Sequence, residues 1–359
     1  MIEACLILSS HFVCRGTDLR GADSLLRVHL NHLADHGYPF AHAKVWVWEG
    51  EYLAVVVRGR FYVVNQPVVM GQVSGPFLRW FFRGLYGKAF NLSVLRERER
   101  VASFYGVEVD ILRRDGDVVF RFGGGGGSIG GEIRGERGGR LTGSLSLDGR
   151  NLFASGILLS LFASFDSSGM YASASGDVPP LLGVAFKGEG NVLRSGDSLY
   201  YSGFALPYVW YYPYRFGVGL GYAGRPALIG GTERVEEPAY DLLLMASGED
   251  VGYRLSLRYG WFSTFAFRGV GNWRERVGGM DRFRRLPPNG VFARNFAVLR
   301  LDLHVLRFSR LRIGPFTDAL FERDRKPAYA YGFSLRFGRM LSLFLSADGY
   351  FGMAARVDL

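Results

Sequence analysis

Histidine, arginine and carboxylate spacings are where this sequence offers chemistry. His29, His32 and His36 stand at i, i+3 and i+7, with His42 close behind, so one helix face gathers imidazoles in a pattern that suits a metal ion. No cysteine joins them to complete a ligand set, and polar helix faces often carry histidine, so no metal and no cofactor are expected. Beyond residue 42 the one histidine is His304, which shares a strand face with Arg300 and Asp302. A lipid-hydrolysing site needs a serine and a histidine adjacent on neighbouring strands. Nothing in the spacing marks such a pair, so His304 reads as a hydrogen-bonding residue and no enzyme is expected. Phe316 and Asp318, two residues apart, fall on one side of an extended strand and together offer a guanidinium a carboxylate and an aromatic face. Arg284 is the candidate for that partner; the alternative is that Arg282, Arg284 and Arg285 are solvated loop charges.

Those residues must be positioned by β structure. The chain contains 50 Gly, 29 Phe and 19 Tyr, an excess that suits crowded strands and membrane interfaces. No run approaches the roughly 18 uncharged apolar residues of a membrane-spanning helix. Crossing by strands stays open, because a barrel strand shows lipid only at every second residue. The formal net charge of +10 is compatible with nucleic acid, anionic lipid or a basic pore lining. Arginines scattered at alternate positions through apolar strands favour the pore lining, since a nucleic-acid binder would cluster them on one face or in a tail. Cys5 and Cys14, the only two cysteines, make no disulfide framework. The stretch from Ala4 to Val13 is apolar but lacks the basic start and cleavage site of a signal peptide, and is read as an edge strand with any leader outside this numbering.

Gly123 to Gly127 fit no phosphate loop, because no lysine and hydroxyl residue follow at the required spacing. Beyond them the texture becomes short alternating strands with tight turns. Tyr253, Leu255, Leu257, Tyr259 and Trp261 oppose Arg254, Ser256, Arg258 and Gly260. Ala297, Leu299, Leu301, Leu303 and Val305 oppose Arg300, Asp302 and His304, and Tyr329, Tyr331, Phe333, Leu335 and Phe337 oppose Ser334 and Arg336. Phe351, Met353, Ala355, Val357 and Leu359 oppose Arg356 and Asp358, which puts the last residue on the apolar face of a closing strand. A soluble sandwich also alternates. Aromatic residues at the edges of the apolar faces, and charges of both signs opposite them, suit lipid outside and a wet lumen inside. The predicted fold is a transmembrane antiparallel β-barrel of about sixteen strands, any even count from about twelve to sixteen being accepted, at roughly 15 residues per strand and turn. Closure is required, because an open edge in hydrocarbon leaves backbone groups unpaired.

Ahead of the glycines, Leu26, Leu30 and Leu33 fall at helical spacing, with Gly37 as a stop. Val45 to Trp48 and Leu53 to Val57, parted by Glu49-Gly50, read as a hairpin. Another extended run covers Phe61 to Gly71. Helical patterns follow around Phe77 to Leu85 and Leu92 to Phe104, and strands from Val107 to Leu112 and Asp117 to Phe122 flank the turn Asp115-Gly116. These last five elements run strand, helix, helix, strand, strand.

That order has a familiar sequence beside it. The segments HLADHGYPFAHAKV (32–45) and GKAFNLSVLRERERVASFYGVEVDIL (87–112) resemble POTRA domains of the BamA/TamA-type outer-membrane assembly factors, the second complete and the first a partial repeat. Three later segments are similar to the family's barrel motifs. NLFASG, from Asn151, Leu152 and Phe153 to Gly156, is similar to its N-L-F-G-x-G early-strand turn. GPFTDAL (314–320) is similar to its F-x-D strand, and AYGFSLRF (330–337) to the G-x-x-L-R-F strand that follows. After Gly278-Gly279 the family carries V/L-R-G-F/Y at the tip of a long loop folded into the lumen. Here that place reads Phe283-Arg284-Arg285-Leu286, with arginine where glycine would allow a tight turn.

The resemblance implies that Phe316 and Asp318 clamp Arg284, with Arg300, Asp302 and Arg336 as lumenal charges. It implies a partial POTRA-like domain over 1–60, a POTRA-like domain over 61–122, a glycine hinge over 123–127 and an outer-membrane β-barrel over 128–359, with the N-terminal region in the periplasm. The expected role is assembly or insertion of outer-membrane proteins, or polypeptide translocation. The POTRA-like edges would grip clients by β-augmentation, and the barrel seam or lumen would act as gate. Gly130, Gly131 and the short last strand suggest a thinly paired seam. The implied partners are unfolded outer-membrane or secreted polypeptides, outer-membrane lipid and periplasmic accessory proteins, with no nucleic acid. On the closing strand with Phe351 and Val357, Leu359 stands where the family ends in phenylalanine. Two alternatives stay open: a two-partner secretion transporter, which shares this plan, and an anion-preferring diffusion porin, which leaves residues 21–122 without a use.

Overall fold

The computed structural model describes residues 2–8, 11–16, 19–48, 51–65, 67–114, 117–136, 142–165, 169–180, 184–195, 197–271, 273–277, 282–286, 292–323, 325–338 and 340–358. The chain divides into two compact units, Met1–Gly123 and Gly124–Leu359.

The first unit opens with β1 (Ile2–Leu8), β2 (His11–Gly16), α1 (Leu19–Asp35), β3 (His42–Trp48) and β4 (Glu51–Val57), in a sheet of order β1-β2-β4-β3. The single edge strand expected between Ala4 and Val13 is instead two strands, and the second is interior, paired to β1 on one side and β4 on the other. Cys5 and Cys14 are register partners across β1 and β2. Helical periodicity turns Ala22, Leu26 and Leu33 of α1 onto Tyr52, Ala54 and Val56, the alternate residues of β4 that face it. Gly37 ends the run at φ +95°, with the Tyr38 amide donating to the Leu33 carbonyl.

The rest of this unit is β5 (Val68–Gly71), α2 (Gly75–Phe81), α3 (Leu92–Phe104), β6 (Glu108–Arg114) and β7 (Asp117–Gly123). Among the described residues of the extended run predicted from Phe61, only the four of β5 form a strand, preceded by an isolated bridge between Val63 and Ala89. The strand, helix, helix, strand, strand order produces a sheet β5-β7-β6 in which β5 is parallel to β7 and β6 antiparallel to it. Ser74 and Asn91 cap the two helices through hydrogen bonds to the Phe77 and Val94 amides. Phe77, Phe81, Phe82, Phe120 and Phe122 form the core by edge-on contacts, at 5.2 Å for Phe81–Phe122 and 4.8 Å for Phe82–Phe120. Asp35, at the end of α1, accepts from both the amide and the hydroxyl of Ser93 at 2.7 Å, which joins the two sheets' helices and sets a carboxylate at the N-terminus of α3.

The second unit is an antiparallel meander: β8 (Gly126–Glu136), β9 (Thr142–Leu152), β10 (Ile157–Phe165), β11 (Gly169–Val178), β12 (Ala185–Ser195), β13 (Ser198–Tyr211), β14 (Tyr214–Tyr222), β15 (Pro226–Arg234), β16 (Ala239–Ser247), β17 (Asp250–Tyr259) and β18 (Phe262–Arg268). A small hairpin, β19 (Glu275–Arg276) with β20 (Phe292–Ala293), belongs to the connection that follows. The wall resumes with β21 (Asn295–Asp302), β22 (Leu306–Phe308), β23 (Leu311–Glu322), β24 (Ala328–Phe337), β25 (Leu341–Ser346) and β26 (Tyr350–Asp358), which pairs back to β8. β21 and β22 both pair with β23, and their registers differ by one residue, so they are a single wall strand with a bulge at 303–305. The barrel is therefore closed with sixteen strands.

In place of the thin seam that Gly130 and Gly131 suggest, β26 and β8 pair over nine successive rungs, from Tyr350↔Glu136 to Asp358↔Ser128, against five between β25 and β26. A side chain at Gly130 would come 2.7 Å from the Ser146 hydroxyl and 3.3 Å from the Ala355 carbonyl oxygen, so glycine there permits close approach.

The two-residue period sorts the side chains. On β24, Tyr331 and Phe333 are 61% and 67% exposed on the outside, while Ser334 is 5% exposed on the inside. Tyr253 and Tyr259 likewise point out and Arg254 in, and Phe351, Met353 and Val357 are outward on β26. An apolar belt around a closed wall with a polar interior is the arrangement hydrocarbon stabilises. Among the described residues no helix is long and apolar enough to cross a membrane.

Candidate functional site

The barrel interior is crossed by charge. β18 runs away from the end at which the chain enters the barrel, so the connection 269–294 starts at the far mouth, and residues 282–286 lie back inside against the wall. Arg284, 2% exposed, sends Nη2 to Asp302 Oδ2 at 2.6 Å and places Nε 3.7 Å from Asp318 Oδ2. Its amide donates to the same Asp318 oxygen at 3.1 Å, and its guanidinium lies 4.2 Å from the centre of the Phe316 ring. Strand alternation explains the receptor: Phe316 and Asp318 both face inward from β23, and Asp302 stands opposite Phe316 on β21. The structure thus brings Arg284, Phe316 and Asp318 together and adds Asp302 to them. A fully buried guanidinium keeps its charge only with carboxylates and an aromatic face at this range.

Arg300 and Arg336 join the same cluster. Asp302 is shared by Arg284, by Arg336 at 2.9 Å and by Arg300 at 3.8 Å, and Asp318 is shared by Arg284 and by Arg300 at 3.6 Å. His304 falls in the bulge between β21 and β22. The neighbouring residue Arg285 reaches Asp348 in the β25–β26 turn at 3.3 Å, and Phe283 is buried beside Arg284. Gly278 and Gly279 lie outside the described residues.

A second network, with no counterpart among the expected site residues, fills the opposite wall. Arg254 is held by Glu189 at 2.7 Å and by Glu275 at 3.5 Å. Lys187 bridges Asp241 at 2.9 Å and Glu233 at 3.3 Å, and Arg215 bridges Asp177 at 2.6 Å and Glu233 at 2.5 Å. Arg282 lies over the Phe265 ring and 3.6 Å from Glu275, so the inserted connection is tied to this wall as well. Beside these networks a cavity of about 820 Å³ is lined on one side by small residues, Ser144, Ser146, Ser160, Ser173 and Ser175 among them.

Arg134 also went unmarked by sequence reasoning. It faces inward from β8 beside Glu132 and donates to the main-chain carbonyls of Arg284 and Leu286. Alternation of Ile129, Gly130, Glu132, Ile133 and Arg134 signals its inward direction, but a carbonyl partner 150 residues away carries no side-chain signature.

The early-strand turn is a separate piece at the entry end of the barrel. Asn151, Phe153 and Ala154 all have φ between 52° and 55°, and Gly156 has φ 74°. Asn151 fastens this strained turn by accepting from the Gly156 amide at 2.9 Å and donating to the Gly124 carbonyl at 3.1 Å, while Leu152 accepts from the Ser155 hydroxyl and Phe153 projects outward. At the other terminus Phe351 and Val357 face outward on the closing strand, and Leu359 lies outside the described residues. In the first unit the rings of His32 and His36 lie 4.1 Å apart, with His36 Nδ1 against the His32 carbonyl, and His42 turns to the Phe40 carbonyl. Among the described residues no three histidine, cysteine or carboxylate side chains converge on one point.

No protein-family model and no curated sequence matches the chain. Solved structures do, among them three outer-membrane barrels. BamA from Haemophilus ducreyi lacking POTRA domains 1–3 superposes with a TM-score of 0.52 at 14% identity, over 96% of this chain and 94% of that one. CdiB from Acinetobacter baumannii gives 0.53 at 14% identity, over 96% and 83%, and CdiB from Escherichia coli gives 0.51 at 13%, over 95% and 85%. At such identities the likeness is one of fold.

Proposed function

We propose that this chain is a non-enzymatic outer-membrane factor that assembles or inserts outer-membrane proteins or passes polypeptides across the membrane. The observation that carries the reading is the inserted connection, pinned inside the lumen by Arg284 between Asp302 and Asp318 and over Phe316. A diffusion porin keeps a continuous water-filled channel and does not need a segment that fills its lumen. A barrel that admits a polypeptide on demand does need one, because the segment keeps the lumen occupied between clients.

The first unit supplies the grip in this reading. Its β5-α2-α3-β6-β7 portion is POTRA-like in element order, and the sheet edges on β5, β6, β1 and β3 offer unpaired backbone to an extended client, whatever its sequence. The location that follows is the outer membrane, with the first unit in the periplasm. The partners that follow are unfolded outer-membrane or secreted polypeptides, surrounding lipid and periplasmic accessory proteins. A two-partner secretion transporter is the second reading, favoured by the serine-lined cavity beside the inserted connection.

Reconstitution of the full chain in liposomes decides between them. Faster folding of an added denatured test barrel is the result expected for assembly. A large single-channel conductance after removal of residues 278–291, without such acceleration, assigns the chain to transport. A protein that stays monodisperse in plain buffer and ignores vesicles refutes both.

A further inference from the structure

We propose that residues 284–286 of the inserted connection form a strap across the β8–β26 seam, with Arg134 as its latch. Arg134 is 4% exposed, and Nη1 donates to the carbonyls of Arg284 at 2.5 Å and Leu286 at 2.6 Å. Glu132 holds its Nε, and its guanidinium lies 5.0 Å from the centre of the Phe344 ring on β25. The register partner of Arg134 is Gly352 on β26, where a Cβ would come 2.2 Å from that ring. Glycine therefore clears the space in which Phe344 carries the guanidinium.

The strap holds the other side of the seam through the next residue. Arg285 Nε lies 3.3 Å from Asp348 in the β25–β26 turn, and its guanidinium lies over Tyr350, whose partner across the seam is Glu136. Three consecutive residues thus grip β8 and the β25–β26 hairpin from inside at the far end of the seam, while Arg284 is anchored to β21 and β23. For β8 to part from β26 with the segment docked, Arg134 must break two charge-assisted hydrogen bonds. Withdrawal of the segment leaves the same guanidinium buried without those acceptors. Seam opening and segment release are coupled through one side chain.

The seam's use as a gate rests on the function proposed above, but its opening is measured without a client, so failure here leaves the liposome assay free to succeed. Spin labels are placed at Ile133→Cys and Met353→Cys, outward register partners across the seam, in the full chain carrying Cys5→Ser and Cys14→Ser. A reference pair, Leu244→Cys and Tyr253→Cys, spans β16–β17. In vesicles both pairs give dipolar-broadened spectra. Arg134→Ala, which loses two charge-assisted hydrogen bonds, raises the fraction of seam pairs without broadening by about tenfold or more, and Arg285→Ala, which loses a partly exposed ion pair, raises it by about threefold. The reference pair stays broadened throughout, and Arg134→Lys gives an intermediate fraction. A seam pair that remains broadened in both alanine variants overturns the strap, as does loss of broadening at both pairs together.

Discussion

Arg284→Ala tests the lumenal clamp most directly. The substitution removes the 2.6 Å bond to Asp302, the ion pair to Asp318 and the guanidinium over Phe316. Breaking a buried pair from one side costs about 3–5 kcal/mol, and a desolvated cation–π contact adds up to about 2. Two contacts survive and set the lower end: Asp318 keeps Arg300 at 3.6 Å, and it still accepts from the backbone amide of residue 284. A loss of about 3 kcal/mol moves the docked-to-released ratio of the segment by roughly two orders of magnitude. Trypsin reads that ratio, because Arg282 and Arg285 remain in the segment and cleavage follows the open population when opening is fast. The folded full chain in detergent is expected to be cut within 282–286 roughly a hundredfold faster than the parent. Asp318→Ala gives a similar gain, and the double variant falls short of the sum because the partners are in contact. Parental cleavage rates in a folded Arg284→Ala barrel, or additive single effects, refute the clamp.

Asn151→Ala removes two hydrogen bonds and puts at φ 52° a residue that tolerates the left-handed region less well than asparagine, so the folded barrel's thermal midpoint falls by the equivalent of about 2–3 kcal/mol; Asn151→Gly loses the same two bonds but relieves the backbone and so loses less, as read by heat-modifiable gel mobility. At Gly314 an added Cβ would lie 1.6 Å from the Leu303 carbonyl oxygen beside the bulge, so Gly314→Ala costs about 3 kcal/mol or more and depletes the folded band during refolding into detergent. Burial, His32 and Arg58 hold the His29 imidazole below its ordinary value of 6.5, which favours the neutral ring in the fold. The unfolded chain then binds the proton first, so the first unit loses stability as pH falls through 6.5 toward the folded value; His29→Gln flattens that dependence in urea titrations of the full chain followed by tryptophan fluorescence.

Much of the barrel was legible because a strand exposes its plan at every second residue. Tyr329 to Phe337 against Ser334 and Arg336 needed no partner strand to be read correctly. The clamp residues were legible as well, since Phe316 and Asp318 sit two apart on one strand. What escaped depends on register summed over several strands or on backbone acceptors. Arg254 meets Glu189 only because the four strands between β12 and β17 carry the right stagger, and the latch of Arg134 ends on carbonyl oxygens that every residue possesses. Phe296 and Val298 point inward while Ala297 and Leu299 point outward, so apolar residues occupy both faces there and alternation alone cannot choose. The bulge at 303–305 and the division of Ala4–Val13 into two strands are matters of pairing, which a single strand's sequence does not record.

Asp302 answers to three guanidinium groups and Asp318 to two. Tolerance to substitution in this interior is therefore lopsided: an arginine such as Arg336 can be neutralised with its acid still served by neighbours, whereas neutralising Asp302 withdraws a carboxylate from three cations at once and leaves Arg284 and Arg300 to share Asp318. A saturation library selected for folded barrels should read as a landscape with a few acidic cliffs standing among basic slopes.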